Sequence, residues 1–475
     1  SRTSVPLKRV GPLGSGQWDR ISWNQAMSEI ADKCIAAASR WGTDTLYQDL
    51  GPNFDFGPTT AGRFKFQFMA GGVFADNWAE IGDLNFGATM SLGFAHAGGS
   101  SDEWFLSDYL VVWMMNPSVT QIPDAHFLYE ARYSGAELVV VDPIYSATAI
   151  HADQWQRIAV GTDAALGMAV ARRLLEVNAI DLPYVREQTD LPLLARLDTG
   201  RFLREADLKE GGSETQLYLW HPGKQAPVKA PGCTGNETRK LSLDFAPPID
   251  GLWNIKLKDG QEVAVVPIGA MLKEHLDPWT FEHAARVTGL SVDQIGVFAQ
   301  GWAKAKRPMV LSSWGSNRYL HSDLMNRGKL LCLALKGALG RKGAGYQACG
   351  WVDLDGFGNA MQMEKEGLQG RIAVLLGVMS PGELFNATLD IVMKRKTESE
   401  VAVETENKFL KTKLCTTDVV EVNFRSKEYR EALSREQKDI FPRPLTAYYD
   451  EAHEKDWAPG LPRKAPPKVF FSGGA

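Results

Sequence analysis

Five cysteines in a chain of 475 residues are few, and their scatter excludes more than their number does. Cys34, Cys233, Cys332, Cys349 and Cys415 make no CxxC pair, no metal-ligand spacing and no plausible disulfide ladder. These residues alone therefore hold no iron–sulfur cluster or structural zinc. Also missing is any run of about 20 apolar residues, the length a membrane-spanning helix requires, so this portion reads as soluble. Basic charge is not in excess: 52 Lys and Arg against 57 Asp and Glu give a net charge of −5. Without a basic stripe to displace phosphate counterions, a nucleic-acid partner is not expected. No initiator Met, basic-apolar signal or twin-arginine stretch opens the chain, so residue 1 reads as a processing point or a cut and no compartment follows from it. GxGxxG is absent too, which withdraws support from an ordinary NAD-binding fingerprint.

What is present is globular. The chain is 44% hydrophobic, and at roughly 150 residues per domain two to four domains are expected. Ser22 and Gln25 make a capping-box pattern, and Met27, Ile30, Cys34, Ala37, Ala38 and Trp41 follow at helical spacing until Gly42. A short strand is predicted at 44–49. Residues 72–104 are rich in Gly, Asn and Ser, and so long an aperiodic stretch within a domain is usually functional. Tyr109 to Met115 reads as a buried strand, 123–133 as a helix and Glu137–Val141 as a second strand. Strand, helix and strand within about 35 residues predict a βαβ unit with parallel strands. Gly161-Thr162-Asp163 opens another helix to about Glu176. Residues 177–290 look less regular, with a hairpin at Asp259-Gly260. A second α/β unit starts at Pro308, with a helix from about His321 to Leu339. Residues 396–460 are charged and aperiodic, and a strand at Lys468–Phe471 runs into a glycine loop, which reads as truncation in mid-motif.

Three times an apolar strand runs into small polar residues: WMMNPS, SSWGSN and FFSGGA. In open parallel sheets ligands bind at the carboxyl ends of strands, where backbone N–H groups and helix N-termini favour anions. The plainer alternative is that all three are ordinary strand–helix connections.

The spellings are more specific than the loops. NPSVTQIPDAHFLYEARYSGAELVVVDP, the HADQW stretch and GTDAAL closely resemble the DMSO reductase family of molybdopterin oxidoreductases. PLKRVG with GQWDRISWNQA looks like the segment that follows the iron–sulfur domain of such enzymes. SSWGSNRYLHSDLMNRGKLLCLALKGALGRKGAG resembles their second dinucleotide-binding half. The resemblance covers about 1–175 and 300–350. Details are similar to the branch of nitrate, selenate and chlorate reductases and dimethylsulfide and ethylbenzene dehydrogenases.

The resemblance implies an α/β fold of the formate dehydrogenase/DMSO reductase type, with two Rossmann-like parallel-sheet halves. Its parts would be an opening segment and helix over 1–43, a first half over 44–176, a connecting region over 177–300, a second half over 301–395, and a charged insertion with a strand-loop start over 396–475. The cofactor implied is bis-molybdopterin guanine dinucleotide with molybdenum, tungsten being less favoured. A 4Fe-4S cluster would lie in a missing N-terminal part. An iron–sulfur electron-transfer subunit, with a heme or membrane-anchor subunit, would be the partners, and a small molecule the substrate. A periplasmic or membrane-associated complex is the favoured setting. The chemistry would be two-electron oxygen-atom transfer or water-derived hydroxylation. EIGDLNFGATMSLG looks nearer to the dehydrogenases than to nitrate reductase, but the substrate and direction stay open.

In that branch an Asp carboxylate ligates molybdenum, and EIGDLNFGATMSLG matches the place, making Asp83 the candidate ligand. A hard cation suits an oxygen donor. The alternative is that Asp83 closes a turn. Asn116 is placed at a strand end facing a nucleotide, or is simply half of an Asn-Pro turn. Asp142 ends the next strand, where an acid takes ribose hydroxyls in dinucleotide folds, unless Asp-Pro only terminates it. Gly161, Thr162 and Asp163 would meet the nucleotide, with Asp163 pairing with guanine; the bland counterpart is an N-cap and a first-turn acid. Ser313, Gly315 and Asn317 fit the second guanosine or pyrophosphate loop. Arg318 and His321 are candidates for polarising substrate or assisting proton transfer, or are a solvated cation and a helix cap. His126, on the βαβ helix, is left to packing or to support of the site from behind, and His151 and Asp153, in a loop, stay open between the two readings. Two rivals stand: a metal-free structural relative or inert fragment, and, more remotely, an NAD-dependent α/β enzyme.

Overall fold

The computed structural model describes residues 4–49, 66–67, 69–75, 86–92, 101–233, 243–317, 319, 321–348, 381–393, 395–396, 443–454 and 467–472, with a few positions between 401 and 435. The chain divides into two compact units, Ser1–Ile81 with Asp353–Ala475, and Gly82–Val352.

In the first unit, Leu7–Arg9 pairs antiparallel with Trp18–Arg20. The helix Trp23–Trp41 begins where the cap pattern places it: the Ser22 hydroxyl accepts the Gln25 N–H at 3.2 Å. Buried Cys34 and Ala37 on this helix pack against Leu46, with Val469 and Phe471 beside them. Leu46–Asp49 lies in a parallel sheet between Val73–Ala75 and Val469–Ser472, and Leu414–Cys415 pairs on the far side of Val73–Ala75. The strand expected at the chain's end is therefore formed.

The second unit is built on a five-stranded sheet in which every pairing is parallel. Its order is Gly345–Ala348, Pro308–Ser312, Tyr109–Trp113, Glu137–Val141, Gln154–Gln156. All five residues of the central strand are buried, because helices cover both faces and leave none of the polar alternation of a half-wet strand. Tyr109, Val111 and Trp113 face the helices Asp163–Glu176, Val292–Lys304 and Ser322–Leu335, while Leu110 and Val112 face Trp104 and the helix Ile122–Tyr133.

This arrangement bears out the mixed α/β reading with parallel sheets, but distributes it differently. Strands expected in two halves, around 109–156 and 308–348, are neighbours in one sheet, and the strand at 46–49 belongs to the other unit's sheet. The region expected to be less regular holds the helices Leu182–Gln188, Ile268–Leu276 and Phe281–Thr288. It also holds an antiparallel sheet of Leu194–Arg196, Glu262–Pro267 and Trp253–Lys256, whose hairpin turns at Gly260 with φ of +88°.

Where Asp163–Glu176 crosses Ser322–Leu335, Gly167 meets Gly328. A Cβ on Gly167 would stand 3.0 Å from the Gly328 carbonyl carbon. Only hydrogen at this position lets the helices come so close, and the buried Cys332 thiol fits against the Gly167 carbonyl at 3.3 Å.

Candidate cofactor-binding site

The register aligns the strand ends. Ser312 pairs with Trp113, Trp113 with Val141, and Val141 with Gln156. Residues that follow, Ser313, Asn116 and Asp142, therefore leave the sheet along one rim, on strands about 4.8 Å apart. That carboxyl-end rim is where open parallel sheets hold ligands. Two non-glycine residues next to it are left-handed, Met114 with φ of 58° and His321 with φ of 59°. Each conformation costs about 1–3 kcal/mol and is held only by its surroundings.

Asn116 is half-buried, and its side-chain oxygen accepts the Thr148 hydroxyl at 2.7 Å and the Thr148 N–H at 3.3 Å. Thr148 in turn contacts the Ser118 hydroxyl at 2.9 Å, so the loops after two neighbouring strands are tied together. Asp142 is half-buried, and its Oδ1 accepts the Ile144 N–H at 2.9 Å. Burial raises its carboxyl above the usual range, against that hydrogen bond, and the charge of Asp163 adds to the rise. Gly161 is exposed with φ of +82°, and the space where a side chain would project is open. Thr162 spends its hydroxyl locally, donating to the Ala159 carbonyl at 2.7 Å.

Asp163 faces inward. It is 1% exposed, and its Oδ1 accepts the Trp113 indole N–H at 2.6 Å. On the second loop, Ser313 is half-buried and Gly315 is exposed beside open space. Asn317 is 7% exposed, its side-chain oxygen accepting the Asn326 amide at 2.8 Å. His321 is exposed at the N-cap of Ser322–Leu335 and makes no side-chain cap bond. Asp83 and Arg318 lie outside the described residues. Asp153 clips structure together, accepting from Arg132 at 2.6 and 2.8 Å and from the Leu138 N–H at 2.9 Å. His126 is exposed beside Phe127, and His151 lies against Tyr129.

Beneath the rim is a polar cluster that the sequence reading did not include. Lys329 is fully buried; its Nζ donates to the Ser312 hydroxyl at 3.1 Å and to Asn326 Oδ1 at 3.4 Å. The ammonium lies 5.5 Å from the Trp113 ring centroid, a cation–π distance. Burial lowers it to about 8, partly offset by the charge of Asp163. Asn326 Oδ1 also accepts from Tyr346 at 3.0 Å and Ser316 at 3.3 Å. A signal existed: Ser322, Met325, Asn326, Lys329 and Leu333 share one stripe at helical spacing, and a lysine in an otherwise buried stripe needs partners.

The rim suits the nucleotide end of a cofactor. Small residues leave backbone accessible at Gly161 and Gly315, Asp142 is an acceptor at the edge, and Asp163–Glu176 directs its N-terminus toward the same side. Among the described residues no group of three His, Cys, Asp or Glu side chains could hold a metal ion, and no helix is long and apolar enough to cross a membrane.

Known proteins resemble this chain in sequence. Dimethylsulfide dehydrogenase subunit alpha of Rhodovulum sulfidophilum is 36% identical over 343 residues, which are 72% of this chain and 37% of that protein. Perchlorate reductase subunit alpha of Dechloromonas aromatica is 33% identical over 367 residues, 72% of this chain and 39% of that one. The chain thus spans less than two fifths of the length of these relatives. Among solved structures, acetylene hydratase from Pelobacter acetylenicus covers 72% of this chain and 36% of its own, at a TM-score of 0.45 and 18% identity. The profile described as molybdopterin oxidoreductase matches residues 2–413, and the chain belongs to that family.

Proposed function

We propose that this chain is the cofactor-cradling portion of the catalytic subunit of a molybdenum oxidoreductase. The observation that carries the reading is the alignment of Ser312, Trp113 and Val141 at one edge of a single parallel sheet, which delivers the loops of both α/β stretches to a common rim. Along it, Asn116, Asp142, Gly161, Thr162, Asp163, Ser313, Gly315 and Asn317 would hold the guanosine and pyrophosphate parts of bis-molybdopterin guanine dinucleotide. Asp83 is the proposed molybdenum ligand. When bound, the cofactor supplies two-electron oxygen-atom transfer or water-derived hydroxylation, and the protein supplies orientation and electrostatics.

Several tasks fall to this chain's own residues. Exposed backbone at Gly161 and Gly315 approaches phosphate oxygens without a side chain in the way. Asp142, its carboxyl raised by burial, accepts hydroxyl donors at the edge of the sheet. His321, exposed at the head of its helix, and Arg318 are the candidates for holding a proton or polarising a substrate. An iron–sulfur cluster in a further part of the protein and an electron-transfer partner subunit complete the proposal. It is supported by relatives that are named as alpha subunits.

Elemental analysis of the purified full-length protein, with the nucleotide released by acid, tests this. Molybdenum near one per chain and GMP near two per chain are the expected result. A protein with neither molybdenum nor tungsten is a structural relative, and the enzyme reading is then lost.

A further inference from the structure

We propose that Thr148 is a positioning residue that holds the Asn116 side chain with its amide nitrogen toward the rim, so that Asn116 meets a phosphate oxygen of the nucleotide as a donor. The proposal rests on the nucleotide reading above and deepens it, by assigning which part of the nucleotide this strand end takes.

Two donors fix which way the amide lies. The Thr148 N–H meets the Asn116 side-chain oxygen at 3.3 Å, and the Thr148 hydroxyl meets it at 2.7 Å. A backbone N–H can only donate, so the atom it faces is the oxygen and the NH2 group lies on the other side. Among the described residues nothing bonds that nitrogen, and it is not enclosed. The hydroxyls behind Thr148 have a fixed direction too. Thr148 spends its one hydroxyl proton on Asn116, so it accepts from the Ser118 N–H at 3.2 Å and from the Ser118 hydroxyl at 2.9 Å. Ser118 in turn accepts from the Tyr129 hydroxyl, on the helix Ile122–Tyr133. Every proton of this chain of hydroxyls points at the rim. Bonds in such a chain polarise one another, which strengthens the amide N–H as a donor.

Thr148 is needed because Asn116 has a competing use. Asn116 is the N-cap of Pro117–Thr120, where an Asn oxygen ordinarily accepts from the first N–H groups of its helix, yet it makes no cap bond. Thr148, with no exposed surface, draws the oxygen away. What the freed donor takes follows from its neighbour. Asp142, at the end of the adjacent strand, is an acceptor that suits hydroxyls and repels phosphate. Asn116 carries no charge and offers only N–H on the side facing the rim. The two strands are about 4.8 Å apart. A ribose and its phosphate span that step, with hydroxyls at Asp142 and a phosphate oxygen at Asn116.

Comparing GDP with guanosine isolates the phosphate contact. The cofactor-free full chain would be dialysed to equilibrium with each, binding being expressed per folded molecule by circular dichroism. Asn116→Asp keeps the oxygen for Thr148 and puts a second acceptor where the NH2 stood. It should lower the ratio of GDP to guanosine affinity by about tenfold or more, the worth of a hydrogen bond to a charged group. Thr148→Val removes the hydroxyl and leaves the amide free to turn back to its own helix, so the same ratio should fall by about threefold or more. Thr148→Ser, which retains the hydroxyl, should keep the ratio within about twofold of wild type. An Asn116→Asp chain that loses both ligands equally would place this residue on the base or the ribose and overturn the proposal. A Thr148→Val chain with the wild-type ratio, or a Thr148→Ser chain as low as Thr148→Val, would leave Thr148 as packing alone and overturn it too. Thr148→Ala replaces Thr148→Val if the latter does not fold. Equal wild-type affinity for GDP and guanosine spares the nucleotide reading and overturns the proposal. A folded wild-type chain with affinity for neither removes the nucleotide reading itself, and the proposal with it.

Discussion

Lys329 lies in the apolar stripe of Ser322–Leu335 with no exposed surface, and burial holds its ammonium at about 8 instead of 10.5. Between those two values the unfolded chain keeps a proton that the folded chain has released. Stability therefore rises with pH across pH 8 to 10.5, and the penalty of the buried charge is fully present below pH 8. At 1.36 kcal/mol per pKa unit the penalty is about 3 kcal/mol. Urea unfolding of wild type and Lys329→Met at matched pH values isolates this lysine from other groups titrating in the range. Wild type should gain about 3 kcal/mol relative to the variant from pH 7.5 to 10.5; parallel curves would mean that the lysine is not buried as a cation. Neither this lysine nor its aspartate was legible as a pair. The two are 166 positions apart in sequence, and nothing in GTD or in NRGKLL announces which indole will come between them. Asp163 was visible as a helix-opening acid, but sequence could not show which way its carboxylate turns.

At the scale of elements, the crossing of Asp163–Glu176 and Ser322–Leu335 is asymmetric in a way that substitutions can read. A Cβ at Gly167 would press on the Gly328 backbone at 3.0 Å, whereas one at Gly328 would meet Ala164 at an ordinary 3.6 Å. Gly167→Val should destabilise the protein by about 1–3 kcal/mol through overpacking. Gly328→Ala should be neutral or stabilise by up to about 1 kcal/mol, through helix propensity. Thermal unfolding of both variants checks the order, and a more damaging Gly328→Ala would show that the crossing is wrongly described. Elements whose burial is complete or one-sided could be read directly: YLVVW, ELVVV and the Ala/Leu-rich helix after GTD all form where expected. Short helices between 177 and 290 could not, since seven to nine residues carry too few turns to establish a period. Val292–Lys304 did carry a signal, a Ser291–Gln294 capping box ahead of Ile295, Phe298, Ala299 and Trp302.

On the scale of the whole molecule, protection should follow the sheets. Amides of Tyr109–Trp113 and Glu137–Val141, buried on both faces, are expected to exchange with solvent slowest. Those of the exposed Leu7–Arg9 and Trp18–Arg20 ribbon should exchange fastest among the paired strands. Hydrogen exchange followed by mass spectrometry measures this; a central strand that exchanges as fast as the ribbon would contradict the sheet order. What sequence could not supply at this scale was the pairing between distant strands. Apolar runs at 109–115 and 308–314 look alike whether they lie in one sheet or two.

That pairing has a kinetic consequence. Trp113 and Ser312 are 199 residues apart and hydrogen-bonded in the core, so the middle of the rim is assembled from segments that leave the ribosome far apart in time. At about 5–20 residues per second, the first strand waits on the order of 10–40 s for its neighbour. Until then its apolar edge lacks a partner, and the rim has only one of its loops. Long-range parallel pairing of this kind is intrinsically slow and exposed to aggregation. Capture of a large ligand at this edge must therefore come late in the life of the nascent chain, after residue 312 has found residue 113.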